Sequence, residues 1–247
     1  MPIFGSLTVD PKSHKQPRVK ALAKEAVAIE KVETLTFTFE VKAQPSFALV
    51  PPALHPSLPS YCSLKVRKHY DSPVGAFTIA ELCMNARASS IYTGFCLGAF
   101  TDNAKAAEWL RDAYGAPVET ADKVTLVKRH YGIEARVEKG GEIILDGLLS
   151  MPGFISGSDV LYTPNLNYAE VDGALKLVPE EFEYAIKDAK RGVATFRALN
   201  LAAFGGAAAF PTNHLPATFT ASSLSYMEVR YVLDPGVPAF MGATKVA

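Results

Sequence analysis

The sequence predicts an α+β fold that is mainly antiparallel β, with a barrel or double-sheet core and a few peripheral helices. Three observations predict it. Apolar and polar residues alternate strictly over Thr34–Val41, the two-residue period of a half-buried strand. The centre of the chain is a succession of strand-like runs, Tyr61–Tyr70, Gly75–Ala86 and Ser89–Phe100, rich in β-branched and aromatic residues. Clear helical spacing is confined to Asn103–Tyr114 and a few shorter stretches.

Taken in order, residues 1–25 are polar and proline-bearing, and predict an N-terminal arm. Residues 26–247 predict a single domain, with no internal repeat and no linker to divide it. After the first strand, PSFALVPPALHPSLPS holds too many prolines for more than a short helical turn within loop. The runs on either side of DSPV predict a hairpin. Asp102 or Asn103 is a suitable N-cap for the helix that follows, and Gly115 a suitable C′ residue. Strands are expected at Lys123–Tyr131, Ile133–Lys139 and Glu142–Ser150, the last two joined across a KGG turn. A short helix or strand around EEFEYAIKDAKRG and a final strand, LSYMEVRYVLDP, complete the chain.

Composition excludes several classes. Lys plus Arg and Asp plus Glu are equal at 25 each, so no global charge draws the chain to nucleic acid or an anionic membrane. No run of about 18 apolar residues predicts a membrane span, and no apolar run follows the N-terminal charges as a signal peptide requires. A cytoplasmic protein is the expectation. Three cysteines, Cys62, Cys83 and Cys96, predict buried reduced thiols. Five scattered histidines without HxxxH or CxxC spacing predict no metal site, and no cofactor is expected.

Order and spacing together resemble the acetoacetate decarboxylase family. That family has a glycine-led strand, an Asp-Asn pair opening a helix, an Arg-acidic pair on the helix, and an aromatic-Pro-Lys-Lys turn after it. Here the corresponding residues are Gly75, Asp102-Asn103, Arg111-Asp112 and Ala116-Pro117-Val118-Glu119, with weaker similarity through Pro164-Asn165 to Leu224–Asp234. The resemblance implies a lyase acting on a small keto acid or polyketide-like keto compound, and a homo-oligomer. In the family the first lysine of the turn forms an imine with a β-keto acid. Here Val118 takes its position and Glu119 that of the neighbouring lysine, while Leu64 and Ile79 fall where two strand glutamates are expected, and the family's arginine falls near Val32. A valine cannot form an imine. The expected chemistry is therefore acid/base: decarboxylation, dehydration or retro-aldol cleavage.

If Ile79 points into the pocket, alternation points Phe77, Glu81 and Cys83 the same way. Glu81, in an apolar context, is the expected pocket carboxylate and general acid or base. Leu64, Phe77, Ile79, Phe100, Val118 and Arg197 are the expected substrate-contacting residues. Lys65, Arg67 and His69 fall on the strand face opposite Leu64 and are expected at the surface. Lys68, Lys123 and Lys128 are candidates for a displaced lysine, and His130, His214 and His55 for a proton shuttle. The alternatives are a binding protein that kept the fold without the chemistry, or a hydrolase or isomerase; the partner in every case is a small molecule.

Overall fold

The computed structural model describes residues 3–7 and 16–246. Alternation carries β1 (Val27–Val41) further towards the N-terminus than the strict pattern suggests. After it come α1 (Ala43–Phe47) and β2 (His55–Pro56) within the proline-rich segment, then β3 (Tyr61–His69), β4 (Phe77–Ala88) and β5 (Ile91–Thr101). Next are α2 (Ala104–Tyr114), β6 (Val118–Thr120), β7 (Lys123–Arg129), β8 (Gly132–Lys139) and β9 (Glu142–Phe154). The remainder is β10 (Asn165–Val171), β11 (Ala174–Glu180), β12 (Phe182–Leu199), β13 (Pro211–His214), β14 (Ala217–Tyr226), β15 (Tyr231–Leu233), α3 (Ala239–Gly242) and β16 (Ala243–Lys245).

These strands form one sheet in the order β16-β15-β11-β10-β5-β4-β3-β1-β14-β12-β9-β8-β7, with β2, β6 and β13 paired beside β4, β5 and β1. Most pairs are antiparallel; β10 and β6 run parallel to β5. The β7 end folds back over β3, β4 and β5, making two layers. Between the layers lies the larger core, with Leu35 and Phe37 of β1, Leu64 and Val66 of β3, and Leu82 of β4 against Leu126, Val137 and Leu145. A second core lies on the other face of β3 and β4, where α2 covers Val32, Phe77, Ile79, Ala99 and Tyr226.

Helix α2 is bounded as its sequence dictates. Asn103 accepts from the amides of Lys105 and Ala106, and Gly115 ends the helix at φ +62°. The small-residue run after β12 allows a close approach: a Cβ on Gly98 would stand 2.6 Å from the Phe204 carbonyl oxygen.

Two expectations need correction. Of the short helix or strand expected around EEFEYAIKDAKRG, the strand is found but it is long: Phe182–Leu199 is one element, β12, whose charged residues alternate with half-buried ones rather than following a helical period. The expected final strand is two strands, β14 and β15, interrupted after Tyr226 where Met227 bonds back to Glu181. All three cysteines are buried and unpaired on β3, β4 and β5. Within the first 25 residues, Val19 bonds to Glu170 and Gly5 to Leu54, so the described parts of the arm lie against the sheet. Among the described residues no helix is long and apolar enough to cross a membrane, and no group of His, Cys, Asp and Glu could hold a metal ion.

Candidate active site

The β3–β4 register sets the site. Lys65 stands opposite Glu81, Arg67 opposite Ile79, and His69 opposite Phe77, so all six share one face of the hairpin. That face lies under α2 at one end and opens into a cavity at the other. Lys65, Arg67 and His69 are therefore buried, at 7%, 0% and 0% exposure, which corrects their expected surface placement. The physical reason is that the opposite face, with Cys62, Leu64 and Val66, is buried too, in the core between the layers. A strand covered on both sides shows no polar-out face.

The charges on this face are paired. Arg67 Nη2 donates to Glu81 Oε2 at 2.5 Å and lies 3.9 Å from Glu180 Oε1. Its guanidinium stacks over Phe182 with 4.3 Å to the ring centroid. Asn165 is the hub: its Nδ2 donates to Glu81 Oε1 (3.3 Å) and Glu180 Oε2 (3.1 Å), and its Oδ1 accepts from Lys65 Nζ (2.9 Å). Lys65 Nζ also donates to the Thr163 carbonyl at 3.1 Å. Asn167 Nδ2 donates to Glu180 Oε2 (3.2 Å) and to the Tyr114 carbonyl (3.1 Å), tying the network to α2.

Burial pushes the Glu180 carboxyl up to about 7; the Glu81 charge adds to the rise, and Arg67 and the two asparagine amides oppose it. Burial and the Arg67 charge hold His69 well below its usual range. His69 is thus neutral; its Nε2 shares a hydrogen bond with the Tyr226 hydroxyl at 2.9 Å, and its ring stacks on Phe77. Burial is the largest influence on Arg67 and would lower its pKa, but Glu81, Tyr226, Tyr184 and Glu180 together outweigh it, and the guanidinium stays cationic.

Lys65 reaches beyond this network into a cavity of about 340 Å³. Thr34, Thr36 and Thr38 of β1, Thr218 and Thr220 of β14, Ser63, and the rings of Tyr61, Tyr92, Tyr162 and Tyr184 line it. The threonines follow from β-alternation: Thr34, Thr36 and Thr38 share the face of Arg67, Lys65 and Ser63, their partners on β3. The Thr34 hydroxyl is buried without a hydrogen bond inside the protein. Asp159 and Arg191 stand at the exposed rim, where Arg191 donates to the Asp159 carbonyl. The result is a pocket of hydroxyls around one buried amine that is held by carbonyl oxygens rather than by a carboxylate.

No protein-family model matches the chain, and no curated protein matches it by sequence. Comparison with solved structures is informative. An acetoacetate decarboxylase from Legionella pneumophila superposes with a TM-score of 0.73 at 16% identity, covering 86% of this chain and 88% of that one. A second acetoacetate decarboxylase structure gives 0.72 at 11% identity over 91% and 93%. The enduracididine biosynthesis enzyme MppR, complexed with pyruvate, gives 0.68 at 11% over 92% and 96%. The fold is that of acetoacetate decarboxylase.

Within the acetoacetate decarboxylase fold, Ile79 and Val118 both fall in the apolar cluster beneath α2, together with Val32 and Ala99. Val118 is 2% exposed, its carbonyl accepting from Arg111, while Glu119 is at the surface and pairs with Lys139. Val118 and Glu119 also border, with Phe100, Arg111 and Lys139, a separate cavity of about 350 Å³. Leu64 points to the opposite face from Ile79, so the two cannot line one pocket; the β3 residues on Ile79's face are Lys65, Arg67 and His69. Phe77 is packed under α2 and Phe100 in the inter-layer core against Phe204. Neither lines the Lys65 cavity.

Glu81 is 1% exposed, locked to Arg67 and Asn165, and behind Lys65 rather than in the cavity wall. Arg197 is exposed on the outer sheet, bridges Glu134 and Asp146, and does not border the Lys65 cavity. Lys68 lies over the Tyr70 ring, Lys123 is exposed, and Lys128 pairs with Glu33. His130 is exposed, His55 bonds to the Ile3 carbonyl, and His214 pairs with Phe39 in the β1–β13 ladder. The His214 side chain lies outside what the structure describes, and none of the others joins the site. The residues that sequence reasoning missed are Lys65, Arg67, Asn165, Asn167 and Glu180. Counting outward from the DSPV turn would have set Lys65 against Glu81; nothing local links Asn165 or Glu180 to them.

Proposed function

We propose that the chain is a lyase of the acetoacetate decarboxylase type that acts on a small keto acid in the hydroxyl-lined cavity, without a lysine imine. The single observation that carries this reading is the Lys65 amine, buried on the cavity floor and aimed by two carbonyl oxygens. Decarboxylation, retro-aldol cleavage and dehydration of a β-substituted keto compound all develop negative charge on the keto oxygen. A hydrogen-bond donor already fixed beside that oxygen stabilises the developing enolate without reorganising in the transition state. Lys65 is that donor. Asn165 holds its angle, the Arg67–Glu81 pair holds Asn165, and the cavity hydroxyls solvate the carboxylate and return the proton.

The similar fold of MppR, seen with pyruvate, supports a keto acid as ligand. The apolar packing of Val118 and Ile79 supports chemistry without the family's imine. The test is a panel of β-keto and β-hydroxy keto acids followed by NMR with wild type, Lys65→Met and Val118→Ala. Wild type and Val118→Ala are expected to consume one class of substrate, and Lys65→Met to lose about 10²–10³-fold in rate, the range for loss of one oxyanion donor. Turnover that survives in Lys65→Met defeats the assignment. Borohydride with substrate, read by intact mass, is expected to add nothing; a stable adduct would replace the donor role with an imine.

A further inference from the structure

The polar cavity does not end at its rim. Arg191, Leu215 and Pro216 line it and also line a neighbouring groove of about 410 Å³, whose other walls are Phe154, Ile155, Val193 and Ala194 with two glycines. Both lie over one face of the sheet. Arg191 of β12 stands opposite Thr218 of β14, which lines the cavity, and Val193 follows two residues along the same strand. A ligand leaving the ring of hydroxyls beside Arg191 therefore meets hydrocarbon. The groove walls are also unusually exposed: Phe154 is 80% and Val193 48% accessible, with Met151 at 75% further along β9 and Leu161 at 72% on the cavity rim. Contiguous apolar surface of this kind marks a contact site, and its continuity with the cavity identifies the occupant as part of the same ligand.

We propose that the substrate is a keto acid with an apolar tail, an alkyl or aryl chain, whose head lies at Lys65 and whose tail passes Arg191 into the groove over β9 and β12. This rests on the cavity being the keto-acid site. Either volume alone is near the low end of the roughly 300–1,000 Å³ of small-molecule sites; joined, they fit a head and a tail. Arg191, held to the Asp159 carbonyl at 3.0 Å, marks the boundary between the two.

The test is calorimetric binding of straight-chain 2-oxo acids from pyruvate to 2-oxodecanoate, to wild type, Val193→Asp and Lys65→Met. Wild type should bind each longer homologue about two- to fourfold more tightly per methylene once the chain passes the rim, the upper figure being full burial of a CH₂. Val193→Asp, on an exposed strand face, should keep its fold by circular dichroism and lose most of that gain. Lys65→Met should weaken every homologue by a similar factor. Affinity that is flat with chain length in wild type, a gain that survives Val193→Asp, or no binding at any length overturns the tail assignment. Turnover of short keto acids with flat length dependence would leave the lyase reading standing and remove the groove; length-dependent binding with no turnover would do the reverse.

Discussion

Glu180→Gln is the substitution whose effect the structure fixes most closely. Glu180 is fully buried, accepts from Asn165 and Asn167 through Oε2, and acts on Arg67, Glu81, Tyr226, Tyr114 and Cys96 around the site. Its carboxyl is held at about 7 against an ordinary 4.5, so the folded state binds the proton more tightly than the unfolded chain. Its contribution to stability is complete below 4.5 and is lost as pH rises through about 7. At about 1.4 kcal/mol per pH unit the full effect is about 3 kcal/mol, and roughly 2–3 kcal/mol of it falls between pH 5 and 8. Gln keeps the acceptor towards the asparagines and cannot ionise. Urea unfolding followed by the single tryptophan, Trp109, which packs on Tyr226, is the assay. Whatever Gln costs at pH 5, it should gain roughly 2–3 kcal/mol on wild type by pH 8. Cys96, Tyr114 and Tyr226, whose ionisation the Glu180 charge opposes, are all held above their ordinary values and stay neutral between pH 5 and 8 in the folded state. A stability difference that is the same at both pH values refutes the reasoning.

Three further outcomes follow from the same geometry. Arg67→Met leaves Glu81 buried beside Glu180 without its cation and should cost about 3–5 kcal/mol; adding Glu81→Gln should recover a large part, measured by the same unfolding curves. Below its ordinary value near 6.5, His69 must stay neutral in the fold, so His69→Phe should flatten the loss of stability as pH falls below about 6.5. Val118→Lys puts an amine among Ile79, Ala99 and the end of α2, and should destabilise by about 1–3 kcal/mol. It should also gain no borohydride-trappable adduct with a keto acid, because the introduced amine would not face the Lys65 cavity.

Much of the architecture was legible because strands, the capped helix and the hairpin are local features. Asn103, Gly115 and the DSPV turn each carry their structural instruction within a few residues. The site was legible only in part. Glu81 was found because a carboxylate in an apolar strand needs a partner, but its partner Arg67 was assigned to the surface from an alternation argument. That argument assumes one dry and one wet face, and β3 has two dry ones. Placing Leu64 and Ile79 in one pocket failed for a related reason: antiparallel pairing of Leu64 with Leu82 and of Arg67 with Ile79 sends them to opposite sides. Asn165 and Glu180 lie roughly a hundred residues from β3, and only the parallel pairing of β10 with β5 brings them in.

The central claim is that Lys65, in the cavity between β1, β3 and β14, meets the reacting keto group. A crystal structure of the chain with a stable 2-oxo acid soaked into it tests that claim most directly. The account predicts the keto oxygen within about 3 Å of Lys65 Nζ, the ordinary hydrogen-bond distance, with the threonines of β1 around the head. A ligand bound instead beside Val118 and Arg111, or covalently attached to any lysine, would contradict it.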